Sequence, residues 1–210
     1  MDSTPLPLSP DHLAALEQAY ATPPRAYHHF GHVRAVLQHY AEVAAGPGWQ
    51  QPVEVWLAVL FHDAVYVPGR RDNEARSADW AVACIPQWWP QAPVDLARVQ
   101  ALILLTARHG QLQPQDVDAD AALFLDCDMA ILAAPAEVFD AYDRGIAEEY
   151  RGVVPSLLFR LNRGRFLVGL LKRPRIFLSD DFHARGGIAA RVKVIAEEDA
   201  RANLRRRLGR

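Results

Sequence analysis

Apolar residues along the chain recur at three- and four-residue intervals far more often than they alternate, which is the spacing of helices and not of half-buried strands. Ser9-Pro10-Asp11 reads as a helix start. A serine there can accept from a freed backbone N–H, and a proline in the first turn sacrifices no hydrogen bond. This helix runs to about Tyr20 and is broken by Pro23-Pro24. Val33, Val36, Leu37, Tyr40 and Val43 line one face of a second helix, which Gly46-Pro47-Gly48 ends. From Val53 to about Ala64 nearly every residue is apolar, including Trp56-Leu57-Ala58-Val59-Leu60-Phe61. A short helix apolar on all sides is predicted to be the central buried element. After the loop Val67-Pro68-Gly69-Arg70-Arg71, Asp72 is placed to cap a helix reaching about Trp88. Further helices are predicted over 94–109, 121–133, 135–151, 155–171 and 187–208. No internal repeat or long linker interrupts them, so the pattern predicts an all-α fold, one compact domain of about eight or nine helices over 1–210.

Composition supports this and narrows the setting. With 210 residues, 50% hydrophobic and 23% charged, the chain can bury a sizeable core and is neither a disordered tail nor a disulfide-stapled module. Cys84 and Cys127 form no CxxC pair and read as small buried hydrophobes of a reducing compartment. The first residues lack a basic and then apolar leader, and no apolar run reaches the ~18 residues of a membrane span. A cytoplasmic protein with no membrane partner is the expectation. The formal net charge of −2 conceals a split: residues 1–150 carry 8 Lys+Arg against 20 Asp+Glu, and residues 151–210 carry 15 against 5. A basic helical part from about 152 could bind anions, or could simply attract the acidic part of the same chain. Arg205-Arg206-Arg207 read as a solvated helix end, where cations suit the dipole.

The chemistry concentrates in three segments. His62-Asp63 ends the very apolar helix, where an imidazole and a carboxylate are costly to bury without partners. Asp126 and Asp128 repeat the anomaly between apolar stretches. His28 and His32 sit four residues apart, the spacing of one helix face. Two acidic places and a buried histidine suggest a shared cation.

The ordered set is Arg25-Ala26-Tyr27-His28 with His32, Phe61-His62-Asp63-Ala64-Val65-Tyr66 and Asp72-Asn73-Glu74 with Ser77-Ala78. It continues with Thr106-Ala107-Arg108-His109, Leu125-Asp126-Cys127-Asp128 with Ala130-Ile131-Leu132, and Ala200-Arg201-Ala202-Asn203-Leu204. This resembles the HD-domain superfamily of metal-dependent phosphohydrolases, and within it the bacterial group described as predicted metal-dependent HD superfamily phosphohydrolases. The resemblance covers nearly the whole chain. It implies an HD-domain-like helical bundle in which His32, His62, Asp63 and Asp128 bind metal, with Asp126 as the fallback for Asp128. Such a mixed nitrogen and oxygen set suits Mn, Ni, Co, Fe or Zn, with Mg less favoured because it prefers oxygen.

Hydrolysis of a phosphate ester of a small molecule, a nucleotide foremost, is the implied activity, with a metal-activated water as nucleophile. Asp63, Glu74 and His109 are the catalytic candidates. Glu74 could equally be a first-turn acid and His109 a helix-end cation. Arg25, His28, Arg70 and Arg71 are candidates for substrate binding, with Arg163 and Arg165 as weaker ones. His12, His39 and His183 read as surface or loop residues, and Trp49, Trp88 and Trp89 as cover for the core. A non-catalytic nucleotide sensor and a di-iron HD-type oxygenase are the alternatives. No GxxxxGK(S/T), GxGxxG, GxSxG or HExxH motif is present, and the basic part lacks the interleaved aromatics of a nucleic-acid binder.

Overall fold

The computed structural model describes residues 4–183 and 197–209, and among these there are helices and turns but no strand. Ten α-helices are found where eight or nine are predicted. They fall in two compact units, Met1–His109 and Gly110–Arg210.

The first unit holds α1 (Pro10–Ala21), α2 (Phe30–Ala45), α3 (Pro52–Phe61), α4 (Asn73–Trp88) and α5 (Leu96–Thr106). Ser9 caps α1, its Oγ accepting from His12 N at 3.1 Å. His29 opens α2 in the same way, Nδ1 accepting from Gly31 N at 2.9 Å. A side chain at Gly31 would drive a Cβ to 2.5 Å from the His29 ring, so this cap requires glycine. α3 is the central element: Val55 through Phe61 are all buried, and α2, α4 and α5 pack on it. Each large side chain buried there contributes roughly 1.5–3 kcal/mol, so the rod that ends in His62-Asp63 is held rigidly. Phe61 packs its ring on Trp80 and Trp88, at 5.1 and 5.6 Å. His12 is no surface histidine but stacks on Trp88 at 4.6 Å. Trp89 donates to Pro7 O and Trp49 to Tyr40 O, each at the edge of the core.

Asp72 occupies the position before α4 but makes no cap bond, because Arg70 holds both of its carboxylate oxygens at 2.7 and 2.6 Å. The loop before α4 is tied down instead by Asn73, which pairs with both Val67 N and O at 3.0 Å. Ser77 Oγ likewise bonds Val65 N and O, at 3.0 and 3.1 Å.

The second unit contains a 3-10 turn at Pro114–Asp116 and α6 (Ala119–Met129), which Asp118 caps and which runs on as a 3-10 turn, Ala130–Ala133. It continues with α7 (Ala136–Glu149), α8 (Ser156–Lys172), the single turn α9 (Asp180–His183) and α10 (Glu197–Leu208). Residues 187–196 of the last predicted helix lie outside the described residues. α10 packs on α8 and on the 130–133 turn, where Asn203 Nδ2 donates to Leu132 O and Ala134 O at 2.9 and 2.8 Å. The expected solvated arginine tail is found only at Arg205. Arg206 grips both oxygens of Asp140 at 2.8 and 2.9 Å, and Asp143 is shared by Arg163 and Arg207. The charge split is thus balanced inside this unit, acidic α7 against basic α8 and α10. His183, read as a loop residue, closes α9 with its Nδ1 3.3 Å from Glu197 Oε2.

Candidate metal centre

Three side chains of the first unit converge. His32 comes from the first turn of α2, and His62-Asp63 from the turn that follows α3. The exposure of His32 is 7% and that of His62 is 1%. The Asp63 side chain is 15% exposed. His32 Nε2 and His62 Nε2 lie 3.2 Å apart, and Asp63 Oδ2 lies 3.4 Å from His62 Nε2 and 3.9 Å from His32 Nε2. These atoms all fall within 4.8 Å of one another, so the group could hold a metal ion.

The surroundings aim these atoms. His62 Nδ1 is 2.9 Å from Val59 O, and a carbonyl can only accept. The proton therefore sits on Nδ1 and Nε2 presents its lone pair to the cluster, the usual arrangement for a metal-binding imidazole. Tyr27 Oη, 3.2 Å from His32 Nδ1, holds the other ring. Two ring nitrogens at 3.2 Å repel unless a proton or a cation lies between them. Around an ion with bonds of ~2.1 Å, neighbouring donors stand roughly 3.0–3.4 Å apart, which brackets the two shorter separations. The donor set is compatible with a bound metal ion.

Asp63 is held through its main chain, leaving its carboxylate to the cluster. Tyr20 Oη accepts from Asp63 N at 3.2 Å and donates to Leu60 O at 3.1 Å. Arg25 bonds four carbonyls: Nη1 those of Asp63 and His28 at 2.6 and 2.9 Å, and Nη2 those of Ala19 and Ala64 at 2.9 and 3.0 Å. All four Nη hydrogens are thereby directed at the backbone, so Arg25 stands as a clamp between α1 and the His62-Asp63 turn. Its guanidinium also lies over the rings of Tyr20 and Tyr66.

His28, half-buried, stacks on Tyr66 with ring centres 4.1 Å apart, and its ring centre is 6.1 Å from that of His32. Glu74 lies in the first turn of α4. Burial pushes its carboxyl above the ordinary range; a backbone hydrogen bond opposes the rise, the charge of Asp63 adds to it and His28 reduces it. Arg70 is exposed and held by Asp72, and Arg71 is exposed. His109 is half-buried in the turn after α5, its N bonded to Thr106 O.

Asp128 lies in the second unit, half-buried on α6. Asp126, two residues earlier, is buried and fully engaged: Oδ1 accepts from Leu178 N at 2.7 Å, and Oδ2 from Ser179 N and Oγ at 2.7 and 2.6 Å. Burial nevertheless pushes its carboxyl up to about 7 against the pull of these donors. An acid so committed has little left for a metal, so the fallback ligand is better explained as an anchor for the 178–179 segment. Arg163 is committed to Asp143 in the same unit, and Arg165 is exposed on α8.

Nothing in the local sequence marks Tyr20 or the Val59 carbonyl for this site, and Tyr27 stands out only as part of Arg25-Ala26-Tyr27-His28. Tyr20 looks like an ordinary core residue of α1, a backbone carbonyl carries no signal, and Tyr27 stands outside the helical spacing of His32. No family model matches the chain, and no curated protein or solved structure shows significant similarity to it.

Proposed function

We propose that the protein is a metal-dependent phosphohydrolase of the HD type, acting on a phosphate ester of a small molecule, a nucleotide foremost. The observation that carries this reading is the meeting of His32 Nε2, His62 Nε2 and Asp63 Oδ2, drawn from two elements 30 residues apart, with their supporting groups in place. His32, His62 and Asp63 would hold a divalent ion. Bound there, the ion supplies a Lewis acid for a phosphoryl oxygen and a water acidic enough to attack at neutral pH.

The chain's own groups have definable parts. Val59 O and Tyr27 Oη orient the two imidazoles, and Arg25 holds the Asp63 peptide. Glu74, electrostatically coupled to Asp63 and His28, is the group to take the proton of the attacking water. Arg71, exposed and without a partner among the described residues, is the cation left on the 67–72 loop to meet the phosphate, now that Arg25 and Arg70 are committed.

Chelator-stripped protein reloaded with Mn or Ni and offered a panel of nucleotides and phosphodiesters tests this. Turnover is expected in the native chain and at least ~100-fold less in His62→Ala and in Asp63→Ala. Mutants that turn over as fast as the native chain, or a native chain that binds no metal, would defeat the reading.

A further inference from the structure

A second concentration of charge lies wholly within the Gly110–Arg210 unit. α7, the 150–154 loop, the start of α8 and Arg207 of α10 border a cavity of about 600 Å³, inside the roughly 300–1,000 Å³ typical of small-molecule sites. Four arginines line it, Arg144, Arg151, Arg160 and Arg207, together with Asp140 and Asp143. Both carboxylates are already neutralised, Asp140 by Arg206 and Asp143 by Arg163 and Arg207. Arg151 is paired with Glu148. Arg144 and Arg160 are exposed and have no hydrogen-bond or ion-pair partner among the described residues. The lining is therefore net cationic, with two uncommitted forks of the shape that matches phosphate.

Two aromatic side chains stand in the same wall. Tyr150 and Phe159 have ring centres 5.3 Å apart with planes tilted by 33°, a surface on which a flat heterocycle can rest. The uncapped first turn of α8 also borders the cavity, and its dipole adds to the preference for negative charge.

We propose that this cavity binds a phosphate-bearing small molecule of the nucleotide class, at a site that shares no residue with the His32–His62–Asp63 cluster. The arginines take the phosphates and the Tyr150–Phe159 wall takes the base. This site does not depend on the hydrolytic reading of the first unit, and it stands whether its occupant is substrate or effector.

The test is calorimetric titration of ATP and of inorganic triphosphate into the full chain, kept metal-free with a chelator. One saturable ATP site per chain is expected, tighter than that for triphosphate. Arg144→Ala/Arg160→Ala should weaken ATP binding at least tenfold, while His62→Ala leaves it unchanged. Both arginines are exposed and bond to nothing described, so retained helical content by circular dichroism is expected in the double variant. Absence of saturable binding at millimolar ATP, or an unaltered affinity in the double variant, would overturn the proposal. Equal affinity for ATP and triphosphate would overturn the nucleotide class, and loss of binding in His62→Ala would move the site to the first unit.

Discussion

Asp63 and Asp126 both follow runs of apolar residues, and a bare carboxylate would be costly at either place, yet the two are satisfied in opposite ways. Around Asp126 the partners are dedicated donors, two backbone N–H groups and a hydroxyl, which consume its oxygens and stitch α6 to the 178–179 segment. Around Asp63 the main chain is fastened by Tyr20 and Arg25, while the carboxylate faces two imidazole nitrogens. Lone pairs facing lone pairs call for a proton or a cation; donors facing a carboxylate call for nothing more. A costly acid in a sequence therefore announces a partner, and only the kind of partner separates a ligand from an anchor.

That contrast can be broken experimentally, most sharply at the imidazole. His62→Ala should abolish stoichiometric binding of Mn or Ni, read by elemental analysis after desalting, whereas Asp126→Ala should keep it. Loss of metal in Asp126→Ala with the fold intact would erase the distinction.

Asp126→Ala should act on stability instead. Stranding two buried N–H groups and a hydroxyl costs about 2–4 kcal/mol by denaturant melting. Its pH dependence has a definite sign. An acid raised from about 4 unfolded to about 7 folded contributes stability that is complete below pH 4 and lost as pH rises through 7. The gap between the native chain and Asp126→Ala should be widest near pH 4 and narrow toward pH 8. A gap that grew with pH would mean that the three donors hold the carboxylate ionised.

Arg25→Lys keeps the charge but not the four-armed reach. It should cost about 2 kcal/mol in stability and weaken metal binding by loosening the Asp63 peptide. An unaltered metal affinity would show that Tyr20 alone fastens this turn. The smallest effect is expected of Tyr27→Phe, a roughly tenfold loss of metal affinity at near-native stability, since it removes one support from one ligand ring.

Much of the helical scaffold was legible beforehand because periodicity and capping are local. Ser9-Pro10 began a helix as read, and Val55–Phe61, apolar on every side, became the buried centre of its unit. Asp72 misled because a competing partner stood two residues away: Arg70 took the carboxylate that would have capped α4. The first unit ends at His109. Charge changes sign near 152 without marking it, because opposite charges were needed on neighbouring helices of one unit.

By itself the sequence determined that the chain is helical, which helix lies deepest, and that His62-Asp63 at its end stands where polar groups need company. Tertiary structure alone decided who that company is: His32, 30 residues away, reaches His62 Nε2 at 3.2 Å, and Leu178 and Ser179 come to Asp126 across more than 50 residues. Burying an apolar face depends on spacing within one helix, whereas a hydrogen bond or a ligand set depends on how separate segments are placed to within a fraction of an ångström. No window of sequence contains that placement.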